Sequence, residues 1–266
     1  MGIITISRGS YSRGAKIAEL LAEKLGYECI SREILLEASN DFNVPQIKLT
    51  HAIENAPSFL DRFKHGKKKY VAFIRKAFLD HIQKDNVIYH GLAGHYFTQG
   101  LPNVLKIRIH ANPEYRINVI MKRENISEEQ AAQMIQKIDA ERSRWSNYLY
   151  GIDTVSPELY DIILRIDCIG VEEAVEALYG IARRPCFQST TKSINNIKDM
   201  FLAASAYSAI INNFPEANVK CKDGVVMVSL ESSLAAEDRV SKKIQKLVKN
   251  IDGIKEVRTF VIPFEV

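Results

Sequence analysis

Residues 3–26, IITISRGSYSRGAKIAELLAEKLG, carry three patterns in succession, and their order decides the fold. Ile3 to Ser7 is a short β-branched apolar run, as expected of a strand buried on both faces of a parallel sheet. Arg8 to Arg13 form a polar loop that begins beside Gly9. From Gly14 the apolar residues fall at Ile17, Leu20, Leu21 and Leu25, which is helical spacing, and Gly26 stands where a helix ends. A strand, a tight loop and a helix in that order put the loop at the carboxyl edge of a sheet, where helix N-termini attract anions.

The alternation continues outward from this unit. Strands are predicted at Tyr27–Ile30, Asn86–His90, Val104–Ala111 and Tyr160–Ile166, with helices at Arg32–Asn40, Tyr70–Lys84 and Val171–Ala182. Asn112-Pro113 supplies an N-cap and a first-turn proline for a further helix, and Ser127-Glu128-Glu129-Gln130 has capping-box spacing for a long one ending near Tyr148. Strands separated by helices imply an α/β fold, a mostly parallel sheet with helices on both faces. The polar stretch Arg183–Asn195 reads as a linker. Beyond it come a helix (Ile197–Asn212), two strands meeting at Asp223-Gly224, a helix (Leu234–Asn250) and a strand (Val257–Phe264), a small α+β unit of order αββαβ. The expected division is 1–184, a linker at 185–196, and 197–266.

Apolar residues make up 46% of the 266, enough to bury a core, so a folded chain is expected. The 36 basic residues are interleaved with 32 acidic ones. No nucleic-acid partner is expected from that balance, and any anion site must be local. Cys29, Cys168, Cys186 and Cys221 are too far apart for a CxxC metal pair and read as reduced, mostly buried thiols; no metal ligand set is assigned. The start, MGIITISRGS, lacks the pattern of a signal peptide, and no apolar run is long enough to span a membrane, so a cytoplasmic address is expected.

The candidate phosphate loop is Gly9-Ser10-Tyr11-Ser12-Arg13-Gly14-Ala15-Lys16. Its glycines have the spacing of GxxxxGK[ST], in which backbone N–H groups cradle phosphates, a lysine reaches the outer phosphates and a hydroxyl helps hold magnesium. Lys16 comes one residue late, and Ile17 follows it where a hydroxyl is usual. Arg8, Gly9, Ser10, Ser12, Arg13, Gly14 and Lys16 are the candidate binding residues, against the alternative of a ligand-free βα turn.

The run ITISRGSYSRGAKIAELLAEKLGYECISREIL resembles the start of the cytidylate kinase-like proteins. RIHANPEYRINVIMKRENISEEQAAQMIQKIDAERSRWSNYLYG and PELYDIILRID are similar to that family's arginine-bearing helix, its lid and the strand after it. The resemblance covers most of residues 1–183. It implies a P-loop kinase-like fold that transfers a phosphoryl group from ATP, with Mg2+, to a nucleoside monophosphate such as CMP. By the same resemblance Arg116 and Arg123 face phosphates from the body, while Arg142 and Arg144 close from the lid. Lys16, Arg116 and Arg142 then form the catalytic set, with Arg123 and Arg144 on the substrate. Chemically, such cations neutralise charge on a moving phosphoryl group; the alternative for each is a solvated helix face.

The chain departs from the family pattern at Tyr11 and Arg13, where glycines are usual, at Ser31, where an acid is usual, and at Gly91-Leu92, where Gly-Arg is usual. No Asp ends the strand Val87–His90, which removes a carboxylate that supports magnesium in related folds. His90 and His95 read as structural or substrate-contacting side chains, and Trp145 and Tyr148 as packing residues that could also stack on a base. Residues 218–266 resemble the BON domain, a unit associated with phospholipid or other ligand binding and with interaction. Three readings stay open: a nucleotide phosphotransferase, a catalytically degenerate nucleotide sensor that signals through the BON-like unit, or a structural, envelope-associated role that rests on the BON-like unit alone. That unit leaves open contact with another protein or ligand, or assembly into a homo-oligomer.

Overall fold

The computed structural model describes residues 2–31, 34, 57–91 and 94–263. The helix expected over Arg32–Asn40 lies, apart from Ile34, outside the described residues, as does Leu92. Five parallel strands, β1 (Ile3–Arg8), β2 (Glu28–Ile30), β3 (Val87–His90), β4 (Val104–His110) and β5 (Ile162–Arg165), form one sheet in the order β2-β3-β1-β4-β5. The chain leaves β1 toward β2 on one side and returns to β4 on the other. The loop after β1 therefore lies at the switch in strand order, where open α/β sheets place their ligands.

Eight α-helices are described: α1 (Gly14–Leu25), α2 (Gly66–Ile82), α3 (Gly94–Phe97), α4 (Pro113–Glu124), α5 (Glu128–Tyr150), α6 (Ile166–Ala182), α7 (Thr191–Ile210) and α8 (Glu237–Val248). Along β1, Ile4 and Ile6 pack with α1 and α6 through Ile17, Leu21, Val175 and Leu178. Ile3 turns to the other face, against Phe73, Ala77 and Phe78 of α2. Burial on both faces explains why β1 reads as a continuous apolar run. Each fully buried Ile or Leu here contributes about 1.5–3 kcal/mol.

Local chemistry sets most boundaries. Gly26 ends α1 at φ 69°, Asn112 accepts a hydrogen bond from the Tyr115 N–H at 2.7 Å, and Ser127 and Gln130 complete a capping box. Gly170, at φ 77° and ψ 176°, breaks α6 one residue before the predicted start of that helix. Cys168 and Cys186 are exposed rather than buried, because they occupy the first turn of α6 and the short turn Pro185–Phe187 on the surface. No helix among the described residues is long and apolar enough to cross a membrane.

A second, three-stranded sheet contains β6 (Asn218–Lys222), β7 (Val225–Glu231) and β8 (Glu256–Ile262), with β6 and β7 antiparallel and β7 and β8 parallel. Asp223 (φ 52°) and Gly224 (φ 83°) form the two-residue turn between β6 and β7, the geometry that Asp-Gly favours. Asp199 of α7 accepts the Asp223 and Gly224 N–H groups at 2.9 and 3.2 Å. A Cβ at Gly224 would meet the Gly253 carbonyl oxygen at 3.0 Å. Gly224→Ala is expected to cost about 1–2 kcal/mol, the penalty for a left-handed non-glycine residue, measurable by urea unfolding.

Helix α7 begins six residues before the predicted Ile197, because Thr190 and Ser193 form a capping box inside the polar stretch. Its opposite faces join two cores. Ile197, Ala204 and Ile211 pack with α2, while Ala206 and Ile210 pack with β7 and α8. The segment before it is anchored to the body: Phe187 packs with the core of α1 and α6, and the Ser189 hydroxyl donates to Asp85 at 2.8 Å.

Candidate functional site

The turn between β1 and α1 is held in shape by its own polar groups. The Gly9 N–H donates to the Ile109 carbonyl at 3.0 Å, and the buried Ser12 hydroxyl lies 3.0 Å from the Gly9 carbonyl oxygen. Tyr11 and Arg13 both adopt left-handed backbone, at φ 55° and 53°. Those are the two positions where the resembling family usually carries glycine, so the turn keeps its path despite the two side chains. A Cβ on Gly14 would lie 2.8 Å from the Arg8 Cβ, so glycine lets the first turn of α1 pass close to β1. No side chain caps α1, which leaves its first N–H groups directed toward the space in front of the loop.

That space is a cavity of about 750 Å3. One wall is cationic: Arg8, Arg13, Lys16, Arg123 and Arg142 line it, with Ser7 and Ser10 among them. Aromatic and apolar side chains complete the lining, from Tyr70 and Ile74 of α2, Tyr89 of β3, and Trp145, Leu149 and Tyr150 of α5. Burial pushes the phenols of Tyr70 and Tyr150 up, so both are neutral. Glu19 and Glu141 are the lining carboxylates among the described residues, and His90 lies at the end of β3.

Helix α5 supplies one stripe of this lining: Ile138, Arg142, Trp145 and Leu149, at successive spacings of four, three and four, with Glu141 beside Arg142. Arg142 donates to the Arg8 carbonyl oxygen at 3.3 Å, bridging α5 and the loop. Arg144 is not in the lining; it is exposed, and its Nε donates to the Ala140 carbonyl of its own helix. Two residues along a helix is about 200°, so Arg142 and Arg144 point to opposite sides and cannot close on one ligand together.

Arg116 also lies outside the lining. It is buried beneath the loop, where Nε donates to the Ser10 carbonyl at 2.8 Å and Nη2 to Asp139 at 2.7 Å and to the Ser10 hydroxyl. That hydroxyl donates in turn to Asp139 at 2.6 Å. Arg116, Ser10 and Asp139 thus tie α4, the loop and α5 together. From sequence Asp139 reads only as a helix-face neighbour of Arg142, three positions on; its bond to Ser10, 129 residues away, is not legible there. Arg123, at the last turn of α4, pairs with Glu124 and lies 5.9 Å from the Tyr11 ring. Gly9, Ser12 and Gly14 shape the loop from behind without lining the cavity.

His95 turns away from the cavity and lies 5.2 Å from the Tyr160 ring. Burial, with Arg108 and Lys106 nearby, pulls its pKa from 6.5 down to about 4. The unfolded chain binds a proton there at higher pH than the folded chain does. The stability is complete above about pH 6.5 and is lost as the pH falls toward 4. The loss from this group is expected to be about 3 kcal/mol. In urea unfolding from pH 7 to 4, His95→Gln should flatten the decline; an unchanged slope contradicts the assignment.

With this geometry in hand, comparison with known proteins is informative. Residues 3–167 match the cytidylate kinase-like family. The cytidylate kinase of Methanosarcina acetivorans is 33% identical over 165 residues, 60% of this chain and 85% of that one. That of Sulfolobus acidocaldarius is 26% identical over 184 residues, 68% and 94% of the two chains. Among solved structures, an uncharacterized protein from Eubacterium ventriosum aligns with a TM-score of 0.53 at 20% identity, covering 67% of this chain and 96% of that one. This last likeness concerns the fold alone.

Proposed function

Because the chain belongs to the cytidylate kinase-like family, we propose that its cavity binds ATP and a nucleoside monophosphate, CMP first among them, and transfers the terminal phosphoryl group between them. The observation that carries this reading is the cavity beside the β1–α1 loop at the carboxyl ends of the parallel strands, whose lining combines five cationic side chains with a set of aromatic ones. A polyphosphate suits the cations and a base the aromatic rings.

In this reading the loop backbone and the first turn of α1 hold the donor phosphates, with Lys16 and Arg13 beside them. An oxygen of the acceptor phosphate attacks the γ-phosphorus in line, and the bond to the β-phosphate oxygen breaks to release ADP. A phosphate acceptor is already a nucleophile, so no general base is required. Arg142, which joins α5 to the loop, neutralises the transferred group. Arg116 acts through Ser10 and Asp139 by holding the loop, a positioning role. Arg123 is placed for the acceptor phosphate.

We also assign residues 197–266 to a BON-like interaction module, which the order α7-β6-β7-α8-β8 supports. A coupled ADP-release assay with ATP and each nucleoside monophosphate tests the enzymatic reading. Acceptor-dependent turnover supports it, and nucleotide binding without turnover on any acceptor sinks it. The loop gives a narrower expectation. Arg13→Ala and Lys16→Ala should each weaken ATP binding about tenfold, if each makes a charged hydrogen bond of about 1.5–3 kcal/mol. Unchanged affinity in both variants would remove the loop from the site.

A further inference from the structure

Kinases of this general architecture normally bind a nucleotide together with magnesium, held by a P-loop hydroxyl and a carboxylate at a strand end. The described residues do not supply that pair of ligands. None of Ala15, Lys16 and Ile17 at the start of α1 carries a hydroxyl, and the Ile17 side chain is fully buried in the core. The serine hydroxyls of the loop already have partners: Ser12 lies against the Gly9 and Ile109 carbonyls, Ser10 donates to Asp139 and accepts from Arg116, and Ser7, which with Ser10 lines the cavity, accepts from Tyr160. At the end of β3, beside the loop, stands His90 rather than an acid. An imidazole is a poor ligand for a hard cation that prefers oxygen.

The electrostatics point the same way. Arg8, Arg13, Lys16, Arg123 and Arg142 outnumber Glu19 and Glu141 in the described lining, and these two carboxylates stand on separate helices, α1 and α5. No cluster of acidic, histidine or cysteine side chains suited to a metal occurs among the described residues. A divalent cation brought to this wall meets repulsion, whereas a bare polyphosphate meets guanidinium forks matched to its oxygens.

We propose that the site takes the metal-free nucleoside triphosphate, its phosphate charge neutralised by arginine and Lys16 in place of magnesium. This rests on the nucleotide reading above, and the test separates the two. Isothermal titration of the full chain with ATP is run in EDTA, then with magnesium in large excess, where nearly all ATP is complexed. The expected result is binding in EDTA and an apparent affinity weakened about tenfold or more by magnesium. Binding that requires magnesium, or that magnesium tightens about tenfold, overturns the proposal while leaving the nucleotide reading intact. Failure to bind under either condition overturns both.

A second readout follows the metal itself. Added to a solution of Mn2+ and ATP, the protein should withdraw free ATP, and the electron paramagnetic resonance signal of hydrated Mn2+ should grow. A signal that falls as Mn2+ enters a protein-bound complex contradicts the proposal.

Discussion

Arg142→Ala is expected to lower the turnover of the proposed phosphotransfer reaction about a hundredfold, a loss of ~2.7 kcal/mol in transition-state stabilisation, the scale for removing one preorganised charged donor. The expectation rests on position. Arg142 lies in the cavity-facing stripe of α5, between Ile138 and Trp145, and its guanidinium already spans to the Arg8 carbonyl at 3.3 Å. From there it reaches the space in front of the loop, where charge develops as the phosphoryl group moves. Arg144→Ala is the control, since that side chain lies outside the lining and bonds its own helix. Its turnover should stay within about twofold of the parent, as for a surface change. Equal losses in the two variants would mean that neither acts through the cavity.

Asp139→Ala should produce the largest loss of stability, about 3 kcal/mol, the low end for breaking a buried ion pair by removing one partner. The asymmetry of the pair sets the direction. The Arg116 side chain is 7% exposed and that of Asp139 42%. Removing the carboxylate leaves a largely buried guanidinium charge facing only the neutral Ser10 carbonyl and hydroxyl among the partners described above, whereas removing the arginine leaves a carboxylate that water can partly solvate. Arg116→Leu should therefore cost less, about 1–2 kcal/mol, and Asp139→Ala made in the Arg116→Leu background should add little. Chemical unfolding of the single and double variants measures the coupling. Additive losses would mean that Arg116 and Asp139 do not depend on each other.

The sequence disclosed what is local. The switch from a continuous apolar run to helical spacing across Ser7–Ile17, the capping residues Asn112 and Ser127, and the Asp223-Gly224 turn depend on neighbours a few positions apart, and all occur where expected. The start of α7 was hidden because Thr190 and Ser193 cap a helix from within a stretch whose composition suits a linker. The candidate site was partly legible. The loop stands out through residue type and spacing and Arg142 through the resemblance, and both lie at the cavity. The resemblance groups Arg144 with Arg142, although helical geometry separates them. The aromatic lining could not be assembled from sequence, because Tyr70, Tyr89 and Tyr150 come from three elements brought together only by the fold. Nor could the Ser10–Arg116–Asp139 network, whose members are spread over 129 residues.

The chain contains a single tryptophan, Trp145, which is 4% exposed and lines the cavity, with the Tyr70 ring 6.2 Å away. Its emission is therefore a built-in reporter of cavity occupancy. Titrating the full chain with ATP while following this emission tests the central claim, that the cavity is the nucleotide site. The account predicts a saturable change whose midpoint moves to about tenfold higher ATP or beyond in Arg142→Ala. An emission indifferent to ATP, or identical midpoints in the two proteins, contradicts it.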